Sequence, residues 1–295
     1  MAARGKSINL FLMDGEPSGR IKCTLANWTG VAYKIPRTAL DLCKERDDLK
    51  QSGIYFLFGT SDQTGNNVVY VGQAGARKNG EGLLYRLQEH KRNPDKDYWT
   101  EAVVFTTSNN SFGPTEKSYL ENRFCGLALA ANRYEVKNGN DPTHGNITEE
   151  KESELEEFID YARIVMGTLG HKVFEPIVAV KATAIADANA TDDEPLLYFN
   201  RTNLKAIGRR TSEGFVVFKG SAIAPCLQKS CPENVVKFRE KHKAKIDGNH
   251  ILLDDILFTS PSAAAAFVGG SSLSGNELWK TADGVSLKNL EKADV

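Results

Sequence analysis

Hydrophobic residues in the first half of the chain alternate between short continuous runs and helical spacings. Three runs are short, apolar and bounded by turn-forming residues, which predicts strands at Ile54–Phe58, Val68–Val71 and Ala102–Thr106. The turn-rich segment Ser61–Asn67 lies between the first two, so we expect them to form an antiparallel hairpin. Helical spacing predicts helices over Leu83–Lys91 and, with Thr115 as N-cap, over Tyr119–Leu129. The order β-β-α-β-α indicates a compact α+β unit, a small antiparallel sheet flanked by helices.

The segment before this unit has its own pattern. Ile8–Met13 and Ile21–Leu25 are apolar runs on either side of a turn, which predicts a hairpin. Pro36 then precedes a helical pattern that runs through Leu49 and ends before Gly53. We assign no chemistry to these residues.

The second half of the chain predicts an acidic amphipathic helix, a linker and another α+β domain. The helix covers Glu149–Leu169, and the linker, Ala182–Glu194, is rich in small and acidic residues. Beyond it we expect strands at Leu196–Phe199 and Phe215–Phe218, helices at Val235–Ile246 and Ser262–Val268, and a hairpin at Leu278–Leu287. The expected boundaries are 1–50 for the N-terminal hairpin and helix, 51–180 for the first α+β unit with its trailing helix, 181–195 for the linker and 196–295 for the last domain.

Composition adds little to this picture. Of the 295 residues, 41% are hydrophobic and 25% are charged, values typical of a globular protein. No run approaches the roughly 20 apolar residues of a membrane helix, and the polar start lacks a secretory signal, so we expect a cytoplasmic protein with no membrane partner. The five scattered cysteines predict reduced structural thiols rather than disulfides or a zinc site.

The net charge is -1, but basic residues cluster locally. One cluster contains Arg77, Lys78, Arg86, His90, Lys91 and Arg92; the others are Arg201, Lys205, Arg209 and Arg210, and the segment Lys237–Lys245. Since a local basic face can supply phosphate contacts, near-neutral charge is compatible with binding of nucleic acid. We expect Arg77, Lys78, Lys91 and Arg92 to contact it. Solvated surface is the simpler interpretation of the other two clusters.

Several chemically capable side chains occur at informative places. Tyr55 and Tyr70 lie on the two strands of the expected hairpin, so both can face one site. Arg86 and His90 are four residues apart on a helix and therefore share a face. Glu121 follows on the longer helix.

This set suits hydrolysis of a phosphodiester. A guanidinium can bind two phosphate oxygens, which fits Arg86. A divalent cation that stabilises the leaving oxygen prefers oxygen ligands, which fits the Glu121 carboxylate. A tyrosine, whose usual pKa is near 10, needs a nearby cation to act as a base, and His90 is close enough along the helix to assist.

The ordered set Gly53-Ile54-Tyr55, Tyr70-Val71-Gly72, Arg86, His90, Glu121 and Asn138 resembles the GIY-YIG endonuclease family over about Ser52–Pro142. The resemblance implies catalytic roles for Tyr55, Tyr70, Arg86, His90, Glu121 and Asn138. It further implies one divalent ion, Mg²⁺ or Mn²⁺, on Glu121, and DNA as the substrate, with RNA possible. Val71 stands where the family commonly has isoleucine.

Four points stay open at this stage. Either tyrosine can be the base. Glu116 and Asn140 are alternatives to Glu121 and Asn138. The glycine-rich segment 72–82, which holds Arg77 and Lys78, is either a substrate loop or a plain insertion. The alternative function is a non-catalytic nucleic-acid-binding or regulatory protein on a nuclease scaffold.

The last domain resembles an uncharacterised family, domain of unknown function 4357. The matching segments are Gly214-Phe215-Val216-Val217, Lys219-Gly220-Ser221, Phe258 to Ala265 and Trp279-Lys280. Its helix start, Ser260–Ala266, is rich in small residues, which favours tight packing against a sheet over a phosphate site. By position, we expect this domain to bind nucleic acid or to select targets.

Overall fold

The computed structural model describes residues 5–75, 82–139, 147–177, 194–201 and 204–293. Contacts divide the chain into two compact units, Met1–Pro176 and Ile177–Val295. Both units combine sheets with helices, so the α+β class is confirmed. Most of the expected linker, Ala182–Glu194, lies outside the described residues.

The first unit is built on a seven-stranded sheet with the order β1-β2-β3-β6-β4-β5-β7. All neighbouring strands are antiparallel except β5 and β7, which are parallel. The strands are β1 (Ile8–Leu12), β2 (Ile21–Leu25), β3 (Gly30–Pro36), β4 (Gly53–Thr60), β5 (Asn67–Ala74), β6 (Trp99–Thr107) and β7 (Glu135–Val136). The predicted hairpins at β1–β2 and β4–β5 are confirmed, and the N-terminal hairpin joins the same sheet through β3, a strand that the sequence did not predict.

Three α-helices cover the sheet: α1 (Leu83–Arg92), α2 (Pro114–Ala131) and α3 (Glu149–Thr168). The expected N-cap of α2 was wrong, because Gly113 is the cap and Pro114 takes the first helical position, where its missing N–H costs nothing. The predicted helix from Pro36 to Leu49 was also wrong. Pro36 ends β3, and two short 3₁₀ helices follow, Arg37–Cys43 and Asp47–Lys50, separated by Arg46 in an extended conformation.

The sheet carries a hydrophobic core on each face because strand side chains alternate. Ile54, Phe56 and Phe58 of β4 pack with residues of α2 and α3. Tyr55 and Leu57, between them, pack on the opposite face with residues of α1 and the first 3₁₀ helix. Every residue of Gly53–Phe58 is therefore buried, and the two faces receive different side chains.

The edge of the sheet at β5 is only partly covered. β7 pairs with Val68 and Val69 and then ends. Beyond it, Lys137 N–H donates to the Val69 carbonyl, and the Asn138 side chain pairs with the Val71 backbone. From Gly72 to Ala74, no strand of the described chain pairs with the outer edge of β5.

The second unit has a five-stranded sheet with the order β11-β10-β9-β8-β12, all antiparallel. Its strands are β8 (Leu197–Arg201), β9 (Leu204–Thr211), β10 (Gly214–Val217), β11 (Ile256–Phe258) and β12 (Trp279–Lys280). Its helices are α4 (Glu233–Lys241), α5 (Pro261–Gly269), α6 (Gly275–Leu278) and α7 (Leu287–Ala293), with a 3₁₀ turn at Lys243–Lys245. Within the expected hairpin at Leu278–Leu287, the chain turns after β12 and a single antiparallel bridge joins Lys280 to Ser286.

Two expectations from composition bear on the whole chain. Within the described residues, no helix combines the length and apolar character needed to cross a membrane. All five cysteines are free; Cys23, Cys43 and Cys125 are buried, whereas Cys226 is exposed.

Candidate active site

Tyr55 stands at the centre of a cluster of polar side chains on the α1 face of the sheet. It is 1% exposed and lies opposite Gly72 in the pairing of β4 with β5. A Cβ atom on residue 72 would collide with the ring and hydroxyl of Tyr55. Glycine at position 72 is thus what lets the Tyr55 side chain extend across β5.

The Tyr55 hydroxyl is 2.7 Å from Nε2 of His90. His90 projects from α1 and is 4% exposed. Burial, with added repulsion from Lys96 and Arg86, lowers the pKa of His90 to about 3. The imidazole is therefore neutral near pH 7, and its Nε2 can accept the Tyr55 proton.

Tyr70, on β5, faces the same cluster and is more accessible than Tyr55. Its ring centroid lies 6.2 Å from that of Tyr55 and 5.5 Å from that of His90. Burial, reinforced by the nearby Glu121 carboxylate, raises the pKa of Tyr70, and the charge of Arg86 opposes that shift. Burial also raises the pKa of Tyr55, so both phenols are protonated near neutral pH.

Lys96 is a member of the cluster that sequence reasoning missed. Its Nζ lies 3.2 Å from the centroid of the Tyr70 ring, a cation–π contact. Burial and the charge of Arg86 lower the pKa of Lys96 to about 8. Lys96 ends the short 3₁₀ helix Pro94–Lys96 after α1 and belongs to no motif, so only the fold brings this ammonium to Tyr70.

Arg86 lies one turn before His90 on α1 and faces the same way, as its spacing predicts. Its Nη1 donates a hydrogen bond of 2.7 Å to the Glu89 carboxylate. The charge of the guanidinium partly offsets the rise that burial causes in the pKa of Tyr55. Since its side chain keeps 41% exposure, Arg86 is accessible to an anionic ligand.

Glu121 reaches the cluster from the opposite face of the sheet. It projects from α2, and its Oε2 accepts a hydrogen bond of 2.9 Å from the Gln73 side chain. The backbone amide of Gln73, on the uncovered edge of β5, also stabilises the carboxylate. Burial nevertheless raises the pKa of Glu121, while Arg86 opposes the shift.

Electrostatic interactions link the two faces of the sheet near the uncovered edge of β5. The Glu121 carboxylate, on the α2 face, contributes to the raised pKa of Tyr55 and of Tyr70 on the α1 face. Gln73, which orients Glu121, was not singled out in the sequence, although it directly follows the Tyr70-Val71-Gly72 motif.

The donor set around Glu121 is sparse. Among the described residues, no group of three or more His, Cys, Asp or Glu side chains could hold a metal ion. Mg²⁺ commonly retains several waters and binds proteins through only one or two carboxylates. A partly buried carboxylate with one oxygen bonded to Gln73 and a raised pKa fits such an ion, so Glu121 would be its protein ligand.

Asn138 is engaged with the backbone. Its Oδ1 accepts from the Val71 N–H at 3.0 Å, and its Nδ2 donates to the Val71 carbonyl at 2.7 Å. The side chain continues the strand pairing that β7 begins and holds β5 between Tyr70 and Gly72. Asn138 consequently supports the site through the backbone of β5.

The structure describes only two of the four residues that are expected to contact nucleic acid. Arg77 and Lys78 lie outside the described residues, as does Asn140. Lys91 forms an ion pair with Asp41, Nζ to Oδ2 3.1 Å, and Arg92 is exposed at the end of α1. Glu116, the alternative to Glu121, turns back towards Gly113 at the start of α2.

One family model matches the chain. Residues 197–291 match DUF4357, a domain of unknown function. Neither a curated protein nor a solved structure matches.

The DUF4357 match falls wholly within the second unit and supports the resemblance inferred from its sequence. Helix α5 is packed tightly: residues Ala264–Gly269 are buried, and Trp279 Nε1 donates to the Pro261 carbonyl at 3.0 Å. The Ser260 side chain caps the Ala263 amide at 3.1 Å. This arrangement favours packing over phosphate binding at the start of α5. In the basic cluster on β9, Arg210 is paired with Glu194 at 2.8 Å.

Proposed function

We propose that the first unit is an endonuclease of the GIY-YIG type that hydrolyses DNA phosphodiester bonds with the help of Mg²⁺ or Mn²⁺. The observation that carries the proposal is the cluster of Tyr55, Tyr70, His90 and Arg86 on one face of the sheet, coupled electrostatically to the Glu121 carboxylate, which is bonded to Gln73 at the uncovered strand edge. An open edge gives an extended polymer access to groups from both faces of the sheet. The resemblance in sequence supports the same function.

Arg86 binds the scissile phosphate. Its present partner is the Glu89 carboxylate, at 2.7 Å. A phosphate offers two oxygens to the planar guanidinium and carries more charge as the bond breaks, so it competes well with a partly exposed carboxylate. Arg86 therefore serves both to position the substrate and to stabilise charge in the transition state.

Tyr70, Tyr55 and His90 provide a path for the proton of the attacking water. Tyr70 is the more accessible phenol, its ring centroid lies 6.2 Å from that of Tyr55, and the neutral His90 Nε2 lies 2.7 Å from the Tyr55 hydroxyl. Water oxygen forms a bond to phosphorus as the bond from phosphorus to the leaving oxygen breaks. The water gives a proton to Tyr70 while Tyr70 passes its own hydroxyl proton to Tyr55 and Tyr55 passes its own to Nε2 of His90. His90, whose pKa is low, releases a proton to solvent, and the leaving oxygen takes one from solvent.

Glu121 provides the carboxylate ligand for the divalent ion, and Gln73 keeps that carboxylate oriented. When bound, such an ion neutralises charge on the phosphate and leaving oxygens. The raised pKa of Glu121 expresses how poorly the partly buried site solvates a bare negative charge. A cation bound at the Glu121 carboxylate would therefore offset the cost of burying its negative charge.

The direct test is nicking of a supercoiled plasmid by the full chain with Mg²⁺ or Mn²⁺. We expect cleavage that a chelator abolishes and that Glu121→Gln lowers by about three orders of magnitude, because removing a metal ligand costs several kcal/mol of transition-state stabilisation. Glu154→Gln is the matched control, since this α3 carboxylate is 65% exposed and ion-paired to Lys151. It should cleave at the wild-type rate.

Parallel digests of single-stranded, duplex and branched DNA and of RNA identify the substrate. Cleavage of RNA alone would replace DNA as the substrate while retaining the mechanism. Salt-sensitive binding without cleavage under either metal would instead indicate a binding or regulatory protein and would contradict the proposal.

A further inference from the structure

Lys117, on α2, is buried without a counter-ion. Its side chain is 7% exposed, yet no hydrogen bond or ion pair joins its ammonium to another residue in the described part of the chain. Among the described residues, Glu116 is the charged group that acts on its pKa, and that carboxylate is turned towards Gly113. A buried charge that lacks a partner is costly to a fold, so its presence calls for an explanation.

The ammonium lies beside the end of β5. A Cβ atom placed on Gly75 would be 2.7 Å from Lys117 Nζ. Nζ is also not among the fully enclosed side-chain atoms without a partner, which in the described residues are Trp28 Nε1, Trp99 Nε1 and Arg209 Nε. The Lys117 ammonium is therefore not completely enclosed by the described residues.

Lys117 is aligned with the candidate active site. It precedes Glu121 by four residues, so both side chains leave the same face of α2, one turn apart. Glu121 is bonded to Gln73 on β5, and Ser118 accepts a second hydrogen bond from the same Gln73 side chain at 3.3 Å. Gln73, which is bonded to the Glu121 carboxylate, therefore lies two residues before Gly75, which is beside the Lys117 ammonium.

We propose that Lys117 binds the backbone phosphate adjoining the one that is cut. This inference rests on the proposed function, because it takes the scissile phosphate to lie at Glu121 and Arg86. A nucleic-acid strand presents a series of phosphates to the edge of β5, and the next one along is brought towards Gly75. Lys117 thereby fixes the direction of the strand in the site and acts as a positioning residue.

The test measures binding separately from cleavage. All proteins carry Glu121→Gln, and fluorescence anisotropy follows their binding to a short labelled DNA duplex in chelator over roughly 50 to 200 mM salt. Each phosphate contact contributes about 0.9 to the slope of log affinity against log salt. We expect Lys117→Met to lower the slope by about one contact and Lys117→Arg to restore it.

Lys151→Met is the matched control, since it removes the same charge from a helix of the same unit, where Lys151 is paired with Glu154 at 2.5 Å. It should leave the slope unchanged. Thermal unfolding of Lys117→Met distinguishes a binding role from a structural one. Removing a buried unpaired charge should leave the melting temperature unchanged or raise it, whereas a structural lysine would lower it.

Three outcomes overturn the inference. An unchanged slope in Lys117→Met, in a chain whose wild type nicks plasmid, contradicts it while the proposed function stands. An equal fall in Lys151→Met shows a general effect of charge and contradicts it as well. Absence of duplex binding by the parent protein overturns it together with DNA as the ligand.

Discussion

The two faces of the first unit's sheet receive alternate residues of the same strand, and they differ in what those residues can do. On the α2 face, Phe56 packs against Phe124 and Phe174, with ring centroids 5.3 and 5.7 Å away. On the α1 face, its neighbour Tyr55 is just as buried but ends in a hydroxyl that is bonded to His90. Packing alone explains the first side chain, whereas the second brings a polar network into the interior.

The comparison separates residues that mainly stabilise the fold from residues that could take part in a reaction. Apolar side chains contribute through area and shape, so their loss leaves a cavity. Buried polar groups contribute little net stability once they are paired, and they are costly when unpaired. A network of Tyr55, Tyr70 and His90 beside an uncovered strand edge is therefore better explained by a reaction than by folding.

The largest expected effect belongs to the phenylalanine face. Phe56→Ala should lower the free energy of unfolding by about 3 to 5 kcal/mol, because it opens a cavity among close-packed rings. Urea unfolding followed by tryptophan fluorescence measures this change. Below the transition, the nicking rate per folded molecule should stay near that of the wild type. A large fall in that rate with intact folding would show that the two faces are not separable.

Tyr55→Phe should lower activity more than stability, the reverse of what we expect for Phe56→Ala. Loss of the hydroxyl removes the bond to His90 and should lower stability by about 1 to 2 kcal/mol, but it should reduce the nicking rate about 100-fold. Tyr33→Phe is the control: Tyr33 is fully buried on the same face, and its hydroxyl is bonded to Asp48 at 2.5 Å, outside the cluster. Comparable rates for the two variants would refute a catalytic role for Tyr55.

The sequence predicted the parts of the site that local spacing determines. Helical periodicity places Arg86 and His90 on one side of α1, and the hairpin pairing brings Tyr55 to Gly72. The remaining members depend on tertiary structure. Lys96 and Gln73 belong to no recognisable pattern and reach the cluster only because a loop and a strand edge are folded against it.

Dependence on tertiary contacts also explains why the sequence pattern missed or misassigned some strands and helices. β3 ends in Pro36, and the proline was interpreted as a helix start although it can also end a strand. β7 is two residues long and exists through its pairing with β5, so no periodicity identifies it. Asn138 was selected through the family resemblance, and its bonds to Val71 become visible only in the fold.

Asn138 offers a smaller test of the uncovered edge. Asn138→Ala leaves both polar groups of Val71 without their partner and should cost about 1 to 3 kcal/mol in stability. If Asn138 acts only through the position of β5, nicking should fall less than in Tyr55→Phe, and affinity for duplex DNA should fall little. Loss of activity as large as in Glu121→Gln, without destabilisation, would instead assign Asn138 a direct catalytic role.

The smallest expected effect at neutral pH is that of His90 protonation, which grows only on acidification. His90 has a pKa of about 3 in the folded chain, below the roughly 6.5 of an unfolded histidine. Above pH 6.5 both states are neutral and His90 contributes no slope. Between 6.5 and 3 only the unfolded state takes the proton, so stability should fall with acidification by up to about 1.4 kcal/mol per pH unit.

Replacing the histidine checks this sign. His90→Gln should flatten the fall of unfolding free energy between pH 6.5 and 4 in urea titrations. Part of the slope should remain, because burial also lowers the pKa of His242, in the second unit, to about 4. Identical pH profiles for wild type and His90→Gln would show that the imidazole is not held neutral by the cluster.

The central claim is that the Glu121 carboxylate completes a cation-dependent site with side chains from the other face of the sheet. An anomalous-difference map from crystals of the full chain soaked in Mn²⁺ tests it most directly. We predict a peak at the Glu121 carboxylate, next to Gln73 at the uncovered edge of β5. A map with no peak there, from a protein that cleaves DNA at the same Mn²⁺ concentration, would contradict the account.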